Sequence, residues 1–138
     1  MKLILPIIAI AVLLFSCAKE KPLPPNAFLE NAYGLVSAKD GDDLSRFYTK
    51  ETIAASKTYA DKNKGTSILS GLDRKFFVKG SRFDLVNETS DGSRAQARIR
   101  ISSHPSPNMI GFETTINLKN ENGVWKIDRA EEIKKLMK

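Results

Sequence analysis

The chain has 138 residues, a formal net charge of +6 and a single cysteine. That length suits one domain with a real core, and excludes a repeat array or a multi-span membrane protein. One cysteine excludes an intrachain disulfide framework.

Lys2 forms a short positive start, and Leu3 to Phe15 is an unbroken apolar run. The run falls short of the about 20 apolar residues that a spanning helix needs. It suits the apolar region of a secretory signal. It ends in Leu14-Phe15-Ser16-Cys17, which resembles the lipobox of bacterial lipoproteins. That resemblance implies cleavage before Cys17, acylation of its thiol with palmitate-type chains, and anchoring on the exported side of a bacterial cell membrane or outer membrane. The residue after Cys17 is Ala18, not Asp, which by the same resemblance favours the outer membrane. Residues 1–16 are then a signal peptide and 17–25 a tether, extended by Pro22, Pro24 and Pro25. Residues 26–138 are one domain.

In that domain Asn26 can cap a helix that places Phe28, Ala32, Leu35 and Val36 on one face. Gly34 inside it costs about 1 kcal/mol against alanine, which close packing would explain. A turn at Asp40-Gly41-Asp42 precedes a short helix capped by Asp42 or Asp43, with Leu44, Phe47 and Tyr48 inward. Thr49 caps a third helix from Lys50 to about Lys62, and Gly65 is a C-terminal stop. Ile68, Leu69 and Leu72 suggest another helical turn, while Phe76-Phe77-Val78 fits a strand or a loop.

From Arg82 the apolar period becomes two. Strands are predicted at about 82–89, 94–102, 109–119 and 124–128. They form an antiparallel sheet with one apolar and one polar face. Asn122-Gly123 reads as a two-residue hairpin turn placing Ile127 opposite Leu118. A three-residue loop with Gly92 left-handed places Phe83 opposite Ile99 and Leu85 opposite Ala97. On the outer face it sets Asp84 against Arg98 and Glu88 against Arg94. The next link sets Ile101 opposite Ile110 and Glu113 opposite Arg98. Arg129 to Lys138 forms a terminal helix with Ala130, Ile133 and Leu136 on one side.

Helices followed by such a sheet, with Gly-Val-Trp-Lys-Ile-Asp late in the chain, resemble the nuclear-transport-factor-2-like (cystatin-like) fold. More narrowly, they resemble small bacterial lipoproteins that carry a domain of unknown function in that superfamily. The resemblance covers about residues 26–128 and rests on structural motifs. It implies an α+β domain with N-terminal helices packed on a curved four-stranded antiparallel sheet, a cone. It also implies a cavity, for which Tyr33, Tyr48, Asn87, Thr89, Phe112, Thr114 and Trp125 are the candidate lining.

His104 is the only histidine, in a proline-rich loop, and its plainer reading is a solvent-facing residue. No partner exists to complete a zinc site, and Cys17 is committed to the anchor. Asn87, Thr89 and Thr114 are the polar positions expected inward, so no general base is expected in a cavity. Arg94, Arg98 and Arg100, with the basic segment from Lys57 to Lys79, read mainly as a cross-strand charge ladder and a solvated face. The expectation is a lipid-anchored, non-catalytic envelope domain that binds a small apolar ligand or an envelope partner. No cofactor, no nucleic acid and a monomer are expected. The alternative is a small isomerase- or cyclase-like enzyme using the cavity.

Overall fold

The structure, a computed structural model, describes residues 27–39, 42–73 and 75–138. The signal segment, Cys17, the tether, the Asn26 cap and the Asp40-Gly41 turn lie outside the described residues. Helix α1 (Ala27–Ser37), a 3-10 turn (Leu44–Arg46), α2 (Lys50–Lys62) and α3 (Ile68–Asp73) come first. Strands β1 (Arg82–Ser90), β2 (Arg94–Ser103), β3 (Glu113–Glu121) and β4 (Val124–Ile127) follow, then α4 (Ala130–Leu136). The strands form an open antiparallel meander in the order β1-β2-β3-β4. The class is α+β.

Local chemistry explains the helix starts. Asp43 accepts the Ser45 N–H at the 3-10 turn, and Thr49 Oγ1 accepts the Thr52 N–H at the start of α2. Gly34 lets α1 meet the Phe47 ring, since a Cβ there would clash with Cε1 of that ring. The stretch after the 3-10 turn docks on β4: Ile127 N–H donates to Phe47 O and Thr49 N–H to Ile127 O. This ties the helical layer to the sheet edge. Phe28, Phe77 and Phe83 then pack with ring centroids 5.5–6.2 Å apart, over a floor of Ala97, Ile99, Ile101, Ile116 and Leu118.

The β1–β2 register differs from the prediction. Four residues, 91–94, separate the paired Ser90 and Ala95, one more than expected. Asp91 Oδ1 closes this loop by accepting the N–H groups of Ser93 and Arg94, and Gly92 is left-handed as predicted. An extra loop residue exchanges the faces of a strand. An irregularity between Leu85 and Asn87 exchanges them back. Phe83 therefore faces Ile101 and Leu85 faces Ile99, with Asp84 opposite Arg100. Between bulge and loop the parity stays inverted. Glu88 pairs with the buried Ala97, while Asn87 and Thr89 point outward and are exposed.

β2 and β3 are shifted by two residues from the expected register, which leaves the faces unchanged. The expected strand at Ile110 and Phe112 is absent. Pro107 starts a 3-10 turn (Pro107–Met109) and Gly111 takes φ +86°, so β3 begins at Glu113. β3 and β4 pair with Leu118 opposite Ile127, as predicted, across Asn122-Gly123, both at positive φ. On α4, Ala130 and Ile133 are buried and Leu136 is exposed, because the helix ends there.

Candidate functional site

A cleft of about 590 Å³ opens between the β1–β2 loop, the adjoining ends of β2 and β3, and the start of α4. Ala95 and Leu118 are its apolar floor, and its walls are polar. Arg94 and Arg129 supply positive charge; Asp91, Asp128, Glu131 and Glu132 supply negative charge. Thr89, Ser90, Gln96 and Asn117 add hydrogen-bonding groups.

Arg129 joins this cleft to a buried polar network. It follows β4 and is 8 % exposed. Its Nη2 donates to Asp73 Oδ1 at 2.7 Å, and its Nη1 to Glu132 Oε2 at 2.7 Å. Asp73, 3 % exposed at the end of α3, also accepts the Tyr48 hydroxyl at 2.5 Å. Burial disfavours the charge on Arg129, but the Asp73 and Glu132 carboxylates outweigh it and raise its pKa. Burial, then the Asp73 carboxylate, push the Tyr48 hydroxyl far above its usual value. Beside the network Asp128 Oδ1 accepts from the Ala130 N–H, and Thr52 Oγ1 accepts the Arg129 N–H. The Nε of Arg129 is buried and has no partner among the described residues.

Glu88 is the second group of interest. It sits on the core face of an edge strand, and its Oε1 is buried without a partner among the described residues. Burial raises its carboxyl above the ordinary glutamate value. The sequence alternation predicts Glu88 on the outer face; the longer loop and the bulge place it on the core face.

The expected lining residues scatter. Thr89 borders the cleft from the outer face of β1. Tyr48 is spent in the network. Tyr33 is half exposed and leans on Phe83, with centroids 6.0 Å apart. Asn87 is exposed. Thr114 is half-buried opposite Ile99, and Phe112 is exposed in the β2–β3 connection. Trp125 is buried under α1, where its carbonyl accepts Asn31 Nδ2, and its own Nε1 is unpaired among the described residues. His104 is structural: Nδ1 accepts the Ser106 N–H, which leaves Nε2 to donate to Lys75 O at 2.7 Å. On the outer sheet face, Glu113 bridges Arg98 and Arg100. Hydrogen bonds from Arg100 and Arg98 hold its carboxyl below the usual value.

Among the described residues no group of three or more histidines, cysteines or carboxylates could hold a metal ion. Among them, too, no helix is long and apolar enough to cross a membrane. No protein-family model matches this chain, and neither curated proteins nor solved structures give a match.

Proposed function

We propose that the chain is a lipid-anchored protein of the bacterial cell envelope whose folded part binds a ligand or partner without catalysis. The observation that carries the anchor is the chain's only cysteine, Cys17, directly after a charged start, an apolar run and Leu14-Phe15-Ser16. Two acyl chains make anchoring stable, each buried CH₂ contributing about 0.8 kcal/mol.

The cleft supports the binding role. Its walls suit a polar, charged ligand or a partner's polar side chains, in place of the small apolar molecule that the family resemblance implies. A bent sheet of the cystatin-like kind is supported by α1 reaching both sheet edges. Asn31 bonds Trp125 O on β4, while Phe28 and Tyr33 pack on Phe83 of β1. The nuclear-transport-factor-2-like assignment is part of this proposal.

A second reading, a small isomerase- or cyclase-like enzyme, is favoured by Glu88 alone. A core-face carboxyl with a raised pKa and an unpaired oxygen has the makings of a general base. Among the described residues no second group is bonded to it, so binding is the stronger reading.

The test is cell fractionation of the full chain and its Cys17→Ser variant, with an alkyne palmitate analogue as label. The proposal expects the parent labelled and in the membrane fraction, and the variant unlabelled. A Cys17→Ser chain that still carries the lipid label refutes it.

A further inference from the structure

The end of the domain opposite the β3–β4 turn carries exposed apolar side chains on a basic ground. It is made by the β2–β3 connection and by the segment between α3 and β1. Ile110 is 52 % exposed and Phe112 45 %, and Phe112 stacks on Phe76 with centroids 5.7 Å apart. Lys75 Nζ lies 5.2 Å from the centroid of the Phe76 ring. From Lys75 to Phe83 and from Ser102 to Phe112 the sequence holds Lys75, Lys79 and Arg82 but no aspartate or glutamate. Of the flanking carboxylates, Asp73 and Glu113 are already paired with arginines, and Asp84 stands exposed at the border, opposite Arg100 on β2.

The two segments are pinned together, so this surface is preformed. His104 Nε2 donates to Lys75 O at 2.7 Å, and Ser103 Oγ donates to Gly80 O at 3.1 Å. The chain also enters the fold here. Phe28, in the first turn of α1, packs on Phe77 of the same segment with centroids 6.2 Å apart. Ala27, the first described residue and the point to which the chain from Cys17 leads, therefore lies beside this end.

We propose that this tip is a membrane-contacting surface that seats on an anionic lipid headgroup layer. Ile110 and Phe112 enter the headgroup boundary, and Lys75, Lys79 and Arg82 meet lipid phosphates. The anchor proposed above would hold the tip at high local concentration over the bilayer. The tip's affinity for lipid does not depend on acylation.

The test uses the full chain carrying Cys17→Ser, with one environment-sensitive label at Ile110→Cys. A control chain carries the label at Val124→Cys, exposed at the start of β4 at the far end. Both are mixed with phosphatidylglycerol vesicles containing a quencher lipid, after thermal melts confirm that each folds like its parent. The proposal expects quenching several-fold stronger at position 110 than at 124. Lys75→Glu with Lys79→Glu should weaken it by about tenfold or more, from the contribution of each basic residue near an anionic surface. Quenching no stronger at 110 than at 124, or equally strong on phosphatidylcholine vesicles, overturns it. A concentration-dependent dimer abolished by Phe112→Ser also overturns it, and makes the tip a self-interface. Because a chain carrying Cys17→Ser has no thiol at the position the anchor needs, failure here is distinct from failure of the Cys17 anchor.

Discussion

Replacing Asp73 by asparagine removes the charge that holds Arg129 in the interior. Both side chains are at most 10 % exposed, and they meet at 2.7 Å. Asparagine keeps the volume, so the loss is electrostatic and in hydrogen bonding. Removing one partner of a buried pair costs about 3–5 kcal/mol, because the other charge stays buried. Glu132, whose side chain is 47 % exposed, returns at most about 1 kcal/mol to Arg129. The Tyr48 hydroxyl loses its carboxylate acceptor as well. Against a total stability of roughly 5–15 kcal/mol this is a large fraction. At about 4–8 °C per kcal/mol for a domain near this size, a net loss of at least about 2 kcal/mol lowers Tm by at least roughly 8 °C. Urea denaturation followed by circular dichroism measures the loss. Arg129→Met and the double variant complete a cycle. The double variant should be less destabilised than the sum of the singles, since it buries no orphaned charge. A loss under about 1 kcal/mol for Asp73→Asn, or strict additivity, would refute the network as described.

Gly34→Ala gains about 1 kcal/mol of helix propensity but drives a methyl into the Phe47 ring, and overpacking costs about 1–3 kcal/mol. A net loss in a thermal melt is expected, relieved in Gly34→Ala/Phe47→Leu; stabilisation by the alanine alone would contradict the close approach. Glu88→Gln should stabilise at neutral pH. The folded-state pKa of Glu88 is raised, so its ionised form costs stability once pH exceeds the unfolded glutamate value. Melts of variant and parent should differ at pH 7 and converge as pH falls below about 4; a constant difference would contradict the burial of that carboxyl. Tyr48 titrates far above the ordinary tyrosine value, so its contribution is full below about pH 10 and lost above it. Tyr48→Phe should therefore melt less steeply with rising alkaline pH than the parent.

The fold was most legible where one residue decides a local event. Thr49 before a periodic stretch gave the start of α2, and Asn122-Gly123 fixed both turn and register of the last hairpin. Alternation identified which faces of β2 are buried. It failed on β1 because two errors of one residue, in the loop and at the bulge, cancel at Phe83 and leave Asn87, Glu88 and Thr89 misassigned. Leu85-Val86, two apolar residues in a row, was the available sign of a bulge. Met109-Ile110-Gly111-Phe112 read as a strand from its apolar content, yet Pro107 and the positive φ at Gly111 exclude it. The Tyr48–Asp73–Arg129 network was invisible in sequence. Its members lie up to 81 positions apart, and each charge taken singly reads as a surface residue.

Anchoring turns on Cys17, and the intact mass of the chain recovered from a membrane fraction tests it most directly. A lipid anchor there predicts a polypeptide that begins at Cys17 and carries added acyl mass on that residue. A chain retaining Met1–Ser16, or one processed elsewhere without lipid, would contradict it.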